Sequence, residues 1–458
     1  MNQKETRQLL KRAGIPDDFN WNTDGPRNRL APIYRHLPAD ISASNIQQTY
    51  LVSECLRDGL HGAPRYPTKE EMLQYLHALN SLGVQIATIG IFSGNDNLMD
   101  HNVRWLLTKM REELPEMTPR VLSLTTEASR NWLNDIAKLH PHLQAIVFRG
   151  TAPIRRFVEG WTEDQIVRDL SIATRDAIDH GVEVIGAVEH ATQTPPELLR
   201  RVIIAQVENG ASAFCLADTI GLAREIGAYR LTRFTVSVLQ ESNSNAAIEW
   251  HGHDDKGNAW PSASASVKAI DHQRRIGLHV TAGGIGERAG NLNLSTVIIN
   301  REDLLTEHGL HNGIHPRRLA AAQALYFQIA GEIQPTHGPA GKNSHHTELG
   351  IHAAALLKAQ NMALKLENQG RIEEAFAWRT MGRTIYSAVD PDRYGLTMKI
   401  GVGPFSGAAN VKAKARSLGI EPQMISADQI SAILTQAKEL ARSMTDDEFL
   451  EIYHQLSI

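Results

Sequence analysis

Cysteine is nearly missing from the 458-residue chain: Cys55 and Cys215 are the only two. Both sit in apolar runs, which excludes a disulfide framework and a zinc site built from thiolates. Any resident cation must therefore be held by His, Asp, Glu or Asn. No run reaches the ~18 apolar residues of a membrane span, and the opening Met1-Asn2-Gln3-Lys4-Glu5 lacks the apolar stretch of a secretory signal. Membrane association and export are not expected, and the expected location is the cytoplasm. Positive charge is not in surplus either, since 47 Lys and Arg face 51 Asp and Glu for a net charge of −4. That leaves no broad basic surface for a nucleic acid or an anionic bilayer. Internal repeats and low-complexity segments are also lacking. What remains, 42% apolar and 21% charged, suits one large domain and a smaller one.

Short β-rich runs recur at 50–56, 84–89, 120–124, 143–148, 182–188, 213–217, 247–250 and 278–281. Their spacing of about 33 residues leaves room each time for a crossover helix, so the strands are expected to be parallel. Helices are predicted over 68–82, 162–180, 195–209 and 224–240, several opened by Thr with an acidic first turn. Eight such units close most simply into a (β/α)8 TIM barrel, an α/β fold. An open doubly wound sheet is the alternative, and no Gly-x-Gly-x-x-Gly follows the first strand to support it. Residues 1–45, with Pro16, Pro26, Pro32 and Pro38, read as an extended arm that packs on something else. The barrel is expected over 46–310, and a mainly helical C-terminal domain over 311–458. Within the latter, helices are predicted at 316–333, 352–368, 372–384, 427–444 and 446–456, with loops at 334–346 and through Asp390, Pro391, Gly401, Gly403, Pro404 and Gly407.

Catalytic groups of such barrels sit where strands run into the following loops. The first strand ends Arg57-Asp58-Gly59, which reads as a salt-bridged strand end or as a cation and carboxylate presented at the rim. The seventh ends His251-Gly252-His253-Asp254-Asp255. Side chains alternate along a strand, so His251 and His253 share a side and can share one ion. With Asp58, two strands away in a closed barrel, they would form a two-histidine, one-carboxylate site with open positions for oxygen ligands. The eighth strand runs into Gly283-Gly284-Ile285-Gly286-Glu287-Arg288-Ala289-Gly290-Asn291, a helix start or a cofactor-binding loop carried by Gly284, Gly286, Glu287 and Arg288. Asn291 could add an amide oxygen near the metal.

These segments resemble the signature of the 2-isopropylmalate synthase, homocitrate synthase and HMG-CoA lyase superfamily, closest to the isopropylmalate, homocitrate and citramalate synthases. The residues that carry the likeness are Arg57-Asp58-Gly59, His251-x-His253-x-Asp255-x-Gly257 and the unbroken string 284–291. Gly350-Ile351-His352, Tyr386-Ser387-Ala388-Val389-Asp390-Pro391 and Ser406-Gly407 extend it into the C-terminal region. The resemblance implies a divalent ion (Zn, Mg or Mn) on Asp58, His251 and His253, acting as a Lewis acid on a 2-oxo acid. It further implies acetyl-CoA or another acyl-CoA as co-substrate, a Claisen condensation and then thioester hydrolysis. Arg57 would stabilise developing negative charge, Glu189 would support His352 in acid/base work with Tyr386 as its partner, and Thr219 would hydrogen-bond the oxo acid. A homodimer with a shared active site is implied as well.

Departures fall on the pocket wall. His61 stands where the family has Gln, and Ala87-Thr88-Ile89-Gly90 stands where Ile-Glu-Val-Gly is common, so Thr88 replaces a carboxylate. Ile146 and Arg155 occupy positions of family histidines. Arg155, with Arg149 nearby, is a candidate for an anionic substrate end, and His61 and Thr88 are candidate substrate contacts. The expected activity is an acyltransferase that converts the acyl group into an alkyl group on transfer. The alternatives are an HMG-CoA-lyase-like carbon–carbon lyase, hinted at by Leu60, and a catalytically silent metal- or metabolite-binding homologue.

Overall fold

The computed structural model describes Trp21, Asn22, Pro38 and residues 40–455. Its centre is a closed barrel of eight strands: β1 Thr49–Ser53, β2 Ile86–Ile91, β3 Thr118–Leu124, β4 Gln144–Gly150, β5 Glu183–Glu189, β6 Ala213–Asp218, β7 Ala247–Gly252 and β8 Ile276–Val280. All pairings are parallel, and β1 closes the ring by pairing with β8 from Thr49↔Ile276 to Ser53↔Val280. The (β/α)8 TIM barrel read from the spacing is the observed fold.

The main barrel helices are α1 Lys69–Leu82, α2 Leu98–Glu113, α3 Glu127–Ile136, α4 Glu163–Asp179, α5 Pro196–Glu208, α6 Glu225–Glu241, α7 Ala259–Ala269 and α8 Leu294–Glu307. Local chemistry starts them as anticipated. Thr68 accepts the Glu71 N–H while Glu71 returns a bond to the Thr68 N–H, a reciprocal cap on α1. Asn97, Thr126 and Thr162 cap α2, α3 and α4.

The barrel interior is divided. On β3 to β6, Leu122, Ile146, Ile185, Ala187, Ala213 and Cys215 form an apolar cluster. Elsewhere in the interior, Glu54, Thr88, Arg120, Glu249 and His279 are buried to within 1%. Such charges survive burial only when paired.

Two expectations shift. β1 stops at Ser53 because Cys55-Leu56-Arg57, though partly apolar, turns into the short 3₁₀ segment Asp58–Leu60. The chain divides into compact units Met1–Gln334 and Pro335–Ile458, so the helix α9 Leu319–Ala330 belongs with the barrel and not with the C-terminal region. The reason is packing: Tyr326 is fully buried, and its hydroxyl donates to the carbonyls of Cys55 and Gly59. At the described residues of the N-terminal segment, Trp21 is buried against Phe234 and Asn22 bonds Leu222 and Arg224. Pro16, Pro26 and Pro32 lie outside the described residues.

The second unit holds α10 Gly350–Asn368, α11 Ile372–Thr384, α12 Ala408–Ser417, α13 Ala427–Leu440 and α14 Asp446–Gln455, with the two-residue strands β9 His346–Thr347 and β10 Lys399–Ile400. The sequence reading missed α12. It packs on a core of Val402, Val411, Ile433 and Phe449. Leu456, read into the last helix, lies outside the described residues. No helix among the described residues is long and apolar enough to cross a membrane.

Candidate active site

At the C-terminal end of the barrel the turn after β1 carries Asp58 over the mouth, where it meets the end of β7. Asp58 Oδ2 lies 3.1 Å from His251 Nε2 and 3.6 Å from His253 Nε2. Two ligands on one cation with bonds of about 2.1 Å stand about 3.0–3.4 Å apart at octahedral or tetrahedral angles; the 3.1 Å spacing is that of a coordination edge and the 3.6 Å spacing is slightly wider. All three residues are buried. Burial opposes ionisation of Asp58, but Arg57, His251 and His61 outweigh it and hold the carboxyl well below the usual range. Burial and the neighbouring His251 push His253 down to about 4. An ionised carboxylate and a neutral imidazole are the forms that bind a cation.

Asn291 reaches the same place as a donor, its Nδ2 being 2.8 Å from Asp58 Oδ2. Its Oδ1 is buried without a hydrogen bond. A buried amide oxygen without a donor, a carboxylate and two imidazoles fit a cation-binding set. His61, half-exposed, places Nδ1 3.2 Å from Asp58 Oδ1.

Arg57 is fixed from below. Its Nε and Nη2 stand 2.9 and 2.7 Å from Glu54 Oε2, and Nη1 is 3.5 Å from Asp58 Oδ1. Thr88 is fully buried and donates to Glu54 Oε1 at 2.8 Å. Thus Glu54, directly after β1, supplies a carboxylate next to the position where β2 lacks one. Burial disfavours the charge on Glu54, yet Arg57 and His279 hold it ionised well below the usual range.

Glu189 ends β5 beside Arg155, for a Cβ on Gly150 would lie 2.6 Å from Arg155 Cγ and 2.9 Å from Glu189 Oε2. Burial raises the Glu189 carboxyl above its ordinary value, partly offset by Arg155. Arg155 also pairs with Glu159 at 2.9 Å. Arg149 is more constrained: it stacks on Trp161, bonds the Thr125 hydroxyl at 3.0 Å and pairs with Asp169. Thr219 accepts the His190 N–H at 2.8 Å, and its carbonyl accepts from Arg288, which also holds Asp255 at 2.9 Å. Glu287 is close enough to Asp58 and His61 to join them on an ion. Gly284 sits at φ 75 with the Asn291 N–H on its carbonyl at 2.8 Å, while the space beside Gly286 is filled by Asn291 Oδ1. In the second unit His352 and Tyr386 stack, ring centroids 3.7 Å apart, with His352 Nδ1 3.4 Å from the Thr347 hydroxyl.

Sequence reasoning missed the layer beneath. Glu54, Arg120, Glu249 and His279 carry charge within otherwise apolar strands, and that mismatch with a buried parallel sheet was the available signal. Arg120 grips Glu249 through Nη1 and Nη2 at 2.7 and 2.9 Å and Gln144 at 3.0 and 2.7 Å.

Residues 48–325 match the HMGL-like family. The chain belongs to that family. Among its relatives, a 2-isopropylmalate synthase from Rhodopirellula baltica is 27% identical over 90% of this chain and 71% of its own length. A homocitrate synthase from Methanopyrus kandleri is 26% identical over 87% of this chain and 89% of its own. Among solved structures, the HMG-CoA lyase of Bacillus subtilis superposes with a TM-score of 0.51 at 18% identity, covering 66% of this chain and 98% of the lyase. An Acinetobacter baumannii HMG-CoA lyase in complex with coenzyme A and 3-methylmalate gives 0.51 at 15% identity, covering 62% and 92%. The lyases share the barrel fold.

Proposed function

We propose that this HMGL-like protein is a divalent-cation-dependent synthase that joins acetyl-CoA, or another acyl-CoA, to a 2-oxo acid and then hydrolyses the thioester. The observation that carries the reading is the convergence of Asp58, His251 and His253 to within 3.1 and 3.6 Å beside a fixed Arg57. The named synthase relatives align over most of the chain, second unit included, whereas the lyases are nearly exhausted by its barrel-sized two thirds.

Asp58, His251 and His253, with Asn291 at hand, would hold a Zn, Mg or Mn ion, and a bound cation supplies Lewis-acid polarisation of the oxo acid. Arg57, locked by Glu54, keeps its guanidinium in place to stabilise negative charge as the enolate adds to the ketone. Glu189, its carboxyl raised above its ordinary value by burial and partly offset by Arg155, would support His352 in the acid/base step. Tyr386 keeps the His352 ring face-on. Arg155, half-exposed beside Glu189, would meet an anionic substrate end, with His61 and Thr219 as further contacts and Gly284, Gly286, Glu287 and Arg288 lining the cofactor side. Thr88 serves this site through Glu54. A cytoplasmic homodimer with a shared site is part of the proposal. The exposed Ile351, Phe376 and Ile385 of the second unit give a second copy something to cover.

The test is thiol release from acetyl-CoA with Mg²⁺, Mn²⁺ or Zn²⁺ and a panel of 2-oxo acids. Release that needs both oxo acid and cation is expected, and His352→Ala should abolish it while bound cation stays near wild type. Acetoacetate or pyruvate emerging from a hydroxyacyl-CoA would mark a lyase instead. Inertness towards every substrate would mark a binding protein.

A further inference from the structure

Beneath the three cation-binding candidates lies a fourth imidazole. His279, on β8, is 1% exposed and held at both ring nitrogens: Nδ1 is 2.7 Å from Glu54 Oε1 and Nε2 is 2.9 Å from Glu249 Oε2. Neither carboxylate is loose. Glu54 is fixed by Arg57 and Thr88, and Glu249 by Arg120 and by the Tyr50 hydroxyl at 2.7 Å. The clamped ring turns its Nδ1 to within 3.2 Å of His251 Nδ1, with the two ring planes at 86°. Cys215, Glu249 and His279 also fall within one ion's reach. However, Arg120, Tyr50 and His279 already occupy both Glu249 oxygens, so that cluster is closed without a cation.

We propose that His279 is a positioning residue for the cation site: clamped between Glu54 and Glu249, it fixes the ring of His251 from the side opposite Nε2. The inference rests on the reading of Asp58, His251 and His253 as cation ligands. A neutral imidazole that binds through Nε2 carries its N–H at Nδ1, and the partner of that N–H sets ring orientation and ligand strength. In this barrel the carboxylate facing that N–H is Glu54, which lies within one ion's reach of His251 and is itself held by the N–H of His279 Nδ1, and Glu54 also holds Arg57. One buried carboxylate therefore ties the orientation of a cation ligand to that of the guanidinium beside it.

Two substitutions separate the ring's two edges. His279→Asn keeps a polar atom near the Nδ1 position, facing His251 and Glu54, and gives up Glu249. His279→Gln keeps the reach to Glu249 and gives up the edge that faces His251. The measurements are Mn²⁺ affinity by titration of the full chain and the visible spectrum of the Co²⁺-loaded protein. The expected result is a 10- to 100-fold loss of Mn²⁺ affinity and an altered Co²⁺ spectrum for His279→Gln, with His279→Asn near wild type. Equal behaviour of the two variants, in either direction, overturns the proposal, since a purely structural role would not distinguish the edges. Where a His279 variant fails to fold, Thr88→Val decides instead: it removes one donor to Glu54 and no charge. A loss of about threefold supports the proposal and unchanged affinity overturns it. Wild-type protein that bound neither ion would instead sink the cation site itself.

Discussion

Single residues show what was legible and what was not. Arg57, Asp58, His251 and His253 could be read because their chemistry is compressed into short strings, and the fold brings them together. Glu54 and His279 could not, because the bond that joins them spans 225 positions and no short string announces it. His140 was not legible either, because its burial is set by the fold. It is 2% exposed, and its Nδ1 accepts the His142 N–H at 3.1 Å. Burial, His142 and Arg111 lower its pKa to about 4, against about 6.5 in an unfolded chain. The unfolded state therefore binds more protons between these values, and stability present above about pH 6.5 is lost as pH falls towards 4. Asn supplies the same acceptor without titrating. Melting temperatures of His140→Asn should fall less steeply over this interval than those of wild type, and parallel slopes would show that this ring is not responsible.

At the level of elements, the strands were legible because each is a short apolar run, and the helices because their caps are written locally. The Thr68 and Glu71 exchange is the clearest case, with bonds of 3.2 and 2.9 Å. Thr68→Ala should cost about 1 kcal/mol, read as a lower denaturation midpoint at unchanged slope. α12 escaped notice because Ala408–Ser417 carries Lys412, Lys414 and Arg416 and, alanines aside, Val411 as its one apolar residue. Its start depends on Asn410, whose side chain accepts the Gly407 N–H and donates to the carbonyls of Glu348 and Gly401. Those partners are tertiary, so no local pattern announces them.

For the whole molecule, strand count and spacing announced closure, but not that half of the interior would be ionic. Arg120 on β3 and Glu249 on β7 join opposite walls and are 1% and 0% exposed. Removing one member strands a buried charge, so Arg120→Met should cost about 3–5 kcal/mol. Combining it with Glu249→Gln should cost less than the sum of the two, as a double-mutant cycle in denaturant will show. Additive costs would mean that the pair does not bridge the barrel energetically. Burial resists ionisation of Glu249, but Arg120 and His279 keep its pKa far below the ordinary value. Its contribution is therefore present at neutral pH and lost in strong acid.

The grip on Glu249 also constrains how such a barrel can drift. Four groups lean on that one side chain: Arg120, Tyr50, His279 and, through Arg120, Gln144. A lone replacement anywhere among them leaves a neighbour bereft, whereas matched exchanges do not. Descendants of this sequence should then alter positions 120 and 249 in tandem or keep both.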